Sequence, residues 1–538
     1  MSLPGGDILR RAAVIGREFS LSILSRLVGS DIDLDAIISE LEELGFVAPV
    51  RDGAQSVFAF KHVIIQNVAY ETLLLKQRRE LHGLVAQAIE ELAGGRPEDY
   101  CEPLAFHYSR DHDLDRAVRY LELAGDRAVR SFALESARNH FSAAIHLLPD
   151  SQQRGRRIEI SLKWAAASQF ATSEEHIDVM RQALADATAL ADSRLIANCH
   201  YWLGRMHYGR GDPSSAVPEF ETVLANATHL NDDQLLGRAY CVLGRIALFT
   251  AEPMRGIGFL ERGIGMLRRL GDPGEMVYSI SSHACIQAFI GEFTKAEDLF
   301  AEALFLARQY KDQTNEALVL QQLSYARCLR GDWGGAIEAA TYCLDTAKKC
   351  GLPVLVAFAE IFHAYARWMQ GEREAAHKDM VQAILGYQNT GYRLAGSLVH
   401  GWCAEICALQ GDLARAQSHA DLSIGKDKSG DRFGQIPAYR ALARVAAQTG
   451  RAKEARDLLA KAIELGHARG AMPDLGITHL HAEEILAQLH DRNAAAQHRS
   501  KAQQIFSSAE MPWWQEHGRA HEKTTLIQFP QPRLLNCV

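Results

Sequence analysis

A helix-breaking position recurs along the chain at a fixed spacing, and this repeat limits the possible folds more than any other feature. The steps between these positions are 40 residues five times and 39 residues once, a period typical of arrays of helix pairs. Because each repeat buries its apolar face against its neighbours, we expect an extended array rather than a single core. The positions are Gly211, Ala251, Gly291, Gly331, Gly371, Gly411 and Gly450.

Small residues stand seven positions before and five positions after each breaker, and an aliphatic residue follows thirteen positions after it. Small residues at matched heights let two helices approach closely, and the aliphatic residue can fill the groove between hairpins. Each repeat is therefore predicted to be helix, tight turn, helix. The small residues before the breaker are Gly204, Gly244, Ala284, Ser324, Ala364, Ala404 and Ala443; those after it are Ala216, Gly256, Ala296, Ala336, Ala376, Ala416 and Ala455; the aliphatic positions are Leu224, Ile264, Leu304, Leu344, Ile384, Ile424 and Ile463.

Composition narrows the class of protein. A chain of 538 residues is too long for one ordinary core, which again favours an array. The formal net charge of -8 argues against a protein that coats nucleic acid, because phosphate binding requires a positive surplus. Most of the ten cysteines occupy small apolar positions of helical patterns, so we expect reduced thiols in a cytoplasmic protein. No window reaches the roughly 18 apolar residues of a membrane-spanning helix, and we expect no membrane contact.

Residues 1–95 lack the 40-residue register and are predicted to form a separate domain. Helical patterns at residues 8–16, 21–29 and 34–45 precede two β-like runs at residues 46–51 and 56–60, with a turn at Asp52-Gly53. Two amphipathic helices follow at residues 63–75 and 77–92. Three helices and a β-hairpin in this order are typical of a winged helix.

The third helical pattern of this domain is acidic. Winged helices often place that helix in the major groove of DNA, where phosphate contacts need Lys or Arg. We therefore expect a packing domain, with DNA an unlikely partner. The pattern carries Asp33, Asp35, Glu40, Glu42 and Glu43 and no basic residue.

Four short runs in this region, read in order, resemble a known module. They are Ala12-Ala13-Val14-Ile15-Gly16-Arg17-Glu18-Phe19, residues 41–46 (Leu-Glu-Glu-Leu-Gly-Phe), residues 58–74 from Phe58 to Leu74, and Arg79-Glu80-Leu81-His82. Together with the repeats they resemble the C-terminal half of bacterial signalling ATPases of the STAND type, which are often fused to a class III adenylate/guanylate cyclase domain and end in tetratricopeptide-like repeats.

The resemblance implies a chain that lacks the ATPase and cyclase domains, since no Gly-x-x-x-x-Gly-Lys-[Ser/Thr] loop for nucleotide phosphates occurs in the sequence. It also implies a separate ATPase or cyclase chain as a partner. In related ATPases a histidine of the winged-helix domain touches the nucleotide phosphate, and the resemblance assigns that role to His62 if an ATPase partner docks. The alternative is a capping or packing histidine.

The rest of the chain divides into three parts. Residues 96–150 are predicted to be an irregular helical cap that covers the apolar end of the array. Residues 151–510 are predicted to form a right-handed α-solenoid of tetratricopeptide-like hairpins, so the fold class is mainly α. Residues 511–538 are a C-terminal tail, expected to be loosely ordered after about His521.

Family geometry of tetratricopeptide arrays places the first helix of each hairpin on a concave wall. Counting from the small residue of each first helix predicts which side chains face this groove. Arg and aromatic residues dominate protein interfaces, so we expect a protein or peptide partner with acidic and apolar residues. The alternative is that the aromatics pack between inner helices and the arginines are solvated. The predicted groove residues are Tyr201, Arg205, Tyr208, Arg245, Tyr325, Tyr365 and Trp368.

Metal and catalytic sites are not predicted. His400, Cys403 and Cys407 share one helical face, but no fourth ligand is evident, and structural zinc needs four. The pairs His479 with His481 and His517 with His521 have no supporting ligands either. No nucleophile, base and orienting group can be assembled from spacing, and we expect no cofactor.

Three functional hypotheses remain. The first is a non-catalytic interaction and regulatory module that senses or scaffolds a protein partner. The second is a transcriptional regulator resembling large ATP-dependent activators that share this solenoid, although no basic helix-turn-helix is evident after Gly470. The third is that a cyclase or ATPase activity belongs to full-length relatives only.

Overall fold

The computed structural model describes residues 3–29, 32–50, 57–131, 133–148, 153–168 and 173–520. By its internal contacts the chain divides into two compact units, Met1–Ser168 and Gln169–Val538. The first is here called the N-terminal unit and the second the repeat unit. The predicted boundaries after residues 95, 150 and 510 stay predictions.

The N-terminal unit begins with helices and strands in the order helix, strand, helix, helix, strand, strand. Its three strands form one antiparallel sheet in the order β1-β3-β2, in which Phe19 pairs with Phe58 and Val47 pairs with Phe60. Buried Ile8, Leu24 and Leu41 bring the helices onto this sheet. The elements are α1 Leu3–Ile15, β1 Glu18–Ser20, α2 Leu21–Val28, α3 Leu34–Glu43, β2 Val47–Pro49 and β3 Val57–Phe60.

This arrangement confirms the predicted hairpin between residues 46–51 and 56–60, whereas strand β1 was missed because three residues are too few for a periodic signal. The predicted turn at Asp52-Gly53 lies outside the described residues. Classification of the domain as a winged helix stays a prediction.

Helices complete the N-terminal unit. Within it, α5, α6 and α7 share a polar network, in which Tyr108 and Tyr120 both donate hydrogen bonds to the Glu90 carboxylate. His82 and His107 meet through their Nδ1 atoms at 2.9 Å. The helices are α4 Val63–Glu71, α5 Leu75–Leu92, α6 Cys101–Tyr108, α7 Leu114–Arg130, α8 Leu134–Leu147 and α9 Arg154–Ala167, with a 3-10 turn at Pro97–Tyr100.

The repeat unit is a solenoid of helical hairpins, as the 40-residue period predicted. Odd-numbered helices α11 to α25 are the first helices of their hairpins, and even-numbered helices α12 to α26 are the second. The helices are α10 Glu174–Ala189, α11 Ser193–Gly209, α12 Pro213–Leu230, α13 Asp233–Phe249, α14 Pro253–Leu270, α15 Pro273–Phe289, α16 Phe293–Gln309, α17 Gln313–Arg330, α18 Trp333–Lys349, α19 Pro353–Met369, α20 Arg373–Asn389, α21 Gly396–Gln410, α22 Leu413–Gly425, α23 Gln435–Gln448, α24 Ala452–Arg469, α25 Met472–Gln488, α26 Arg492–Ser508 and α27 Pro512–Ala520, with a 3-10 turn at Lys426–Ser429.

All seven predicted breakers adopt the left-handed backbone conformation, with φ between +65° and +106°. The turns between hairpins use the same conformation, which the sequence pattern did not reveal because the residue type varies there. Ala191, Asn231, Gly271, Lys311, Gly351, Gly391, Gly430, Gly470 and Glu510 occupy these positions. A left-handed residue therefore ends a helix about every 20 residues.

An aspartate commonly follows the left-handed residue and starts the next helix. Asp212, Asp232 and Asp332, for example, each accept a hydrogen bond from the backbone N–H three residues later. A carboxylate in this position satisfies a free helix N–H and favours the helix dipole. The two-residue signal stops one helix and starts the next.

The two small-residue columns meet inside each hairpin, as predicted. A Cβ added to Gly244 would lie 3.0 Å from the carbonyl oxygen of Gly256 and 2.5 Å from Leu260 Cγ. In the hairpin of α17 and α18, the Ser324 hydroxyl donates to the Ala336 carbonyl at 2.8 Å. Larger side chains at these positions would force the paired helices apart.

The repeat unit coils so tightly that successive superhelical turns touch. A Cβ on Gly211 would lie 2.5 Å from the Arg393 carbonyl oxygen, and the Arg432 N–H donates to the Phe249 carbonyl at 2.9 Å. Gly331 lies against Trp514 in the same way. These partners are 182 or 183 positions apart, about four and a half repeats. The interior side lined by the first helices, here called the lumen, is therefore closed by neighbouring turns.

Among the described residues, no helix is both long and apolar enough to cross a lipid bilayer.

Candidate functional site

The seven predicted groove residues are nearly excluded from solvent. Six of them are between 1% and 6% exposed, and the Arg205 side chain is 10% exposed. Tyr201 packs on Phe220 of its own hairpin, whereas Tyr325 and Tyr365 contact rings of later hairpins. The counting rule thus selected buried side chains, while their place on a groove and their part in binding a partner stay predictions.

The lumen between α11 and α15 contains a buried ion network, here called the ionic layer: Arg205, Arg245 and Glu275. The Glu275 carboxylate forms an ion pair with each guanidinium group, at 2.5 Å from Arg245 Nη2 and 3.2 Å from Arg205 Nη1. Arg245 also donates to the Ser279 hydroxyl and stacks on Tyr278, 4.3 Å from the ring centroid. One carboxylate on α15 therefore ties together first helices of three successive hairpins.

Opposing effects set the protonation of this layer. Burial alone would lower the pKa of Arg245, but the Glu275 carboxylate, together with Tyr278 and Tyr208, more than offsets burial and raises that pKa. Burial would raise the pKa of Glu275, whereas Arg245 and Arg205 bring it below its usual value of 4.5. Both groups are charged at neutral pH, and each needs the other because an isolated buried charge is costly.

Farther along the lumen, aromatic rings replace the ions. This aromatic layer comprises Tyr325, Phe362, Tyr365, Trp402 and Phe433. Tyr365 stacks on Trp402 with ring centroids 4.1 Å apart, and Tyr325 lies 5.3 Å from Phe433. A residual cavity of about 70 Å³ borders Tyr325, Phe362 and Phe433, so the lumen is almost filled here.

A larger cavity of about 240 Å³ follows the aromatic layer and is here called the aromatic cavity. Tyr365 and Trp368 of α19 line one side, and Trp513 and Trp514 of α27 line the other. Aliphatic walls come from α21 and α25, through Ile406, Leu409, Ile477 and Leu480. The cavity therefore joins two predicted groove residues to a helix that the repeat pattern did not include.

Two buried hydrogen-bond donors of the aromatic cavity have no acceptor among the described residues. They are the indole N–H groups of Trp368 and Trp514, whose residues are 5% and 4% exposed. Buried indole N–H groups usually find a partner, because an unmet donor costs free energy. Both residues line the cavity, and the Trp514 indole nitrogen also lies beside Gly331, 3.0 Å from where a Cβ on that glycine would stand.

The carboxylates at this cavity are already paired. Glu405 receives two hydrogen bonds from Arg440, at 2.8 and 3.1 Å, and Arg440 also binds Asp474 at 2.7 Å. Glu484 binds Arg444 at 2.5 Å. The cavity therefore offers aromatic surface and N–H donors rather than free negative charge.

His62 lies outside the repeat unit, at the residue that precedes α4. Its backbone is extended, its side chain is exposed and makes no capping hydrogen bond. The next residues, Val63, Ile64 and Val68, expose 50%, 70% and 58% of their surface. His62 thus stands beside an exposed apolar face, and its contact with nucleotide stays a prediction.

The histidines considered as metal ligands have other partners. His400 meets His419 at 3.0 Å between Nδ1 atoms, and burial lowers the pKa of His400 to about 4. His479 meets His498 at 2.8 Å in the same manner. His517 stacks on Trp513, and His521 lies outside the described residues. The described part of the chain holds no group of three or more His, Cys, Asp or Glu placed to bind a metal ion.

Sequence reasoning missed four lumen residues: Trp402, Phe433, Trp513 and Trp514. Trp402 lies two positions before the small residue Ala404, on a column that was not followed. Phe433 lies in the connection before α23, where the 3-10 turn lengthens the usual link. The adjacent pair Trp513-Trp514 was visible as an aromatic cluster after the last repeat, and this signal could have placed it against the lumen.

Comparison with known families finds a match to the tetratricopeptide repeat family at residues 397–421 and 436–461. These segments cover most of α21 and α22 and of α23 and α24. An uncharacterized protein, R02095, of Rhizobium meliloti (strain 1021) is 28% identical over 144 residues, which are 26% of this chain and 14% of that protein. The chain thus matches only a small part of that relative's length.

Several solved structures share the helical architecture. A Signal Transduction ATPase with Numerous Domains protein with a tetratricopeptide repeat sensor from Pyrococcus horikoshii aligns at a TM-score of 0.45 and 12% identity, over 81% of this chain and 66% of that chain. The Cut9–Hcn1 hetero-tetramer of the APC/C aligns at 0.48 and 11% identity, over 82% and 84%. A Rap protein complexed with Competence and Sporulation Factor aligns at 0.43 and 12% identity, over 73% and 98%.

Proposed function

We propose that the repeat unit is a non-catalytic interaction module that binds a segment of a protein partner in the aromatic cavity. The observation that carries the proposal is the pair of buried, unpartnered indole N–H groups of Trp368 and Trp514. A polypeptide presents backbone carbonyl acceptors beside apolar side chains, and the cavity offers donors beside aromatic walls. A buried unmet donor costs about 1–3 kcal/mol, which a bound carbonyl group would recover.

The cavity favours an apolar or aromatic segment. The expected preference for acidic residues depended on Arg205 and Arg245, and both of them are already paired with Glu275. The cavity itself has aromatic and aliphatic walls, and its volume of about 240 Å³ suits one or two large side chains. The proposed ligand is therefore a short segment with a large apolar side chain flanked by exposed carbonyl groups.

A peptide selection tests this proposal. Peptides selected from a phage-displayed library on the full chain would be measured against Trp368→Phe and Trp514→Phe, which remove the N–H and keep an aromatic ring. We expect each variant to bind about 3- to 10-fold more weakly, the range of one hydrogen bond. Trp202→Phe, on α11 and outside the cavity, is the matched control and should bind as the unaltered chain does.

Two results would contradict the proposal. One is selected peptides that bind all three variants equally, since the indole donors would then have no part in recognition. The other is a selection that yields no peptide with measurable affinity for the unaltered chain.

We further propose that the chain acts in the cytoplasm with a bacterial signalling ATPase or an adenylate cyclase-like protein, through a winged-helix N-terminal domain. The short runs quoted above and the helix–strand order of the N-terminal unit support this assignment. The exposed apolar face of Val63, Ile64 and Val68 beside His62 is a surface suited to a partner chain.

Nucleotide assays test two parts of this second proposal separately: the absence of catalysis and the contact of His62 with a phosphate. The purified chain should neither hydrolyse ATP nor form a cyclic nucleotide, and turnover in either assay would refute a non-catalytic role. Calorimetry with ATP should then be repeated on His62→Ala. Binding that disappears in this variant would support a phosphate contact by His62, whereas binding that is unchanged would exclude it.

A further inference from the structure

A polar cavity of about 500 Å³ lies where two superhelical turns of the repeat unit meet. It is here called the inter-turn cleft. One wall comes from α10, α11 and the start of α12. The other comes from the connection before α21 and the 3-10 turn Lys426–Ser429. Residues more than 200 positions apart thus line one site, which exists only because the solenoid closes on itself.

Close backbone contacts hold the two walls together. A Cβ on Gly211 would lie 2.5 Å from the Arg393 carbonyl oxygen, and one on Gly430 would lie 2.8 Å from the Ser214 hydroxyl. Both glycines have positive φ, +72° and +82°, a conformation that other residues adopt only with strain. The cleft is therefore a built feature of the fold, and its two walls have a defined spacing.

The cleft carries an excess of positive charge. Arg181, Arg210, Arg393, Lys426 and Lys428 line it, against Glu174 and Asp212. Glu174 is shared by Arg210 and Arg181, and the Asp212 carboxylate caps α12 by accepting the Ser215 N–H. Among the described residues, Arg393 and Lys428 have no carboxylate within ion-pair distance. Five cations facing two carboxylates contrast with the net charge of -8 of the whole chain.

We propose that the inter-turn cleft binds a compact anion that carries several phosphate charges, and that this anion joins the two turns. Lys and Arg are the residues that bind phosphate groups, and cations of like sign repel one another until an anion lies between them. The residues that line the cleft include no Phe, Tyr or Trp, and the one ring among them is the imidazole of His207, so the wall is built for charge rather than for stacking on a nucleobase. The recognised chemistry is therefore a chain of phosphates, whether free or carried by a nucleotide.

Calorimetry on the full chain with inorganic tripolyphosphate tests the proposal directly. We expect binding at 50 mM NaCl that weakens at 200 mM, because exposed charges are screened by salt. The double variant Arg393→Glu with Lys428→Glu should bind at least about 10-fold more weakly, since it reverses two of the five cations. Both side chains are exposed, so the variant should keep its helical circular dichroism.

The matched control reverses two arginines elsewhere. Arg262→Glu with Arg269→Glu changes the net charge equally on exposed positions of α14, outside the cleft. It should bind tripolyphosphate within about 2-fold of the unaltered chain, because distant surface charges are screened. Tripolyphosphate should also raise the melting temperature of the unaltered chain and of this control, but not of the cleft variant.

Three further measurements, with ATP, with a hexaglutamate peptide and with the two double variants, define the results that would overturn the inference. ATP should bind no more tightly than tripolyphosphate, and a preference for ATP of 10-fold or more would show that the nucleoside is recognised. A hexaglutamate peptide that binds more tightly than tripolyphosphate would instead make the cleft a docking site for an acidic protein segment. Absence of tripolyphosphate binding, or equal binding by the two double variants, would refute the inference outright.

Discussion

The ionic layer and the aromatic layer occupy equivalent places in the repeat, yet they are built from opposite chemistry. Arg205, Arg245, Tyr325 and Tyr365 stand one position after the small residue of their first helices. At the ionic layer both arginines pair with Glu275, and at the aromatic layer rings fill the same space. The position in the repeat thus specifies that the side chain is buried, while the kind of contact it makes depends on the neighbouring hairpins.

The comparison shows how a solenoid wall becomes a core. In an open array, side chains on the inner helices would meet solvent or a partner. Here neighbouring turns close over them, so Arg245 and Tyr325 are 1% and 3% exposed. A charge in that setting must find a counter-charge, whereas a ring needs only shape complementarity. Recognition of a partner is left to the aromatic cavity, where the packing is incomplete.

The largest expected effect comes from breaking the ionic layer. Glu275→Gln removes the carboxylate that two buried guanidinium groups share. Removing one partner of a buried ion pair costs about 3–5 kcal/mol, and we expect a loss of that size in the free energy of unfolding measured with urea.

The matched control for this change is Glu302→Gln, because Glu302 pairs with Arg268 at the surface. Exposed ion pairs contribute about 0–1 kcal/mol, so the control should change little. Equal losses in the two variants would contradict the ionic layer as a structural element.

A smaller effect is expected from the aromatic layer. Phe433→Leu removes ring contacts with Phe249, Phe289 and Tyr325 but leaves an apolar side chain. The partly filled space should cost about 1–3 kcal/mol, less than the ionic change. Phe305→Leu, at a residue that is 66% exposed, should stay within about 0.5 kcal/mol. A larger loss from Phe433→Leu than from Glu275→Gln would reverse the ranking of the two layers.

The ionic layer and the aromatic layer should also differ in how their contributions to stability depend on pH. Because Arg245 and Arg205 bring the pKa of Glu275 below 4.5, the unfolded chain takes up this proton at a higher pH than the folded chain. The stability contributed by Glu275 is therefore complete above pH 4.5 and is lost as the pH falls through the folded pKa.

Urea unfolding at neutral pH and at several values below pH 4.5 measures this effect. The difference in unfolding free energy between the unaltered chain and Glu275→Gln should narrow in acid. The difference between the unaltered chain and Phe433→Leu should stay constant, since no titrating group is removed. A constant difference for Glu275→Gln would show that Glu275 is not charged in the folded chain.

Much of the repeat fold could be predicted because its signals are local. Each breaker ends its helix because its own backbone adopts a positive φ. Each pair of small residues, such as Gly244 and Gly256, lets the two helices of one hairpin approach closely. The register also showed which side chains point inward. The second set of turns escaped notice because Ala191, Asn231 and Lys311 adopt positive φ without glycine. Phe433 and Trp514 escaped notice because they lie outside the 40-residue register.

The sequence predicted side chains that are turned away from solvent, but it did not predict which of them a partner could reach. Tyr365 and Trp368 do border a cavity, whereas Arg205 and Arg245 are paired with Glu275, which lies one or two repeats later in the chain. Whether an inward side chain is open to a partner depends on what the next turn of the superhelix places over it. No spacing rule within one repeat contains that information.

The sequence by itself determined a mainly helical array, its 40-residue period, its hairpins and the inward face of each first helix, because these depend on residues within about 20 positions of one another. Only the tertiary structure decided that the turns close on each other, that the arginines are paired, and that a cationic cleft and an aromatic cavity remain. Those outcomes depend on a small rotation at each hairpin, summed over four and a half repeats, which brings together residues about 182 positions apart.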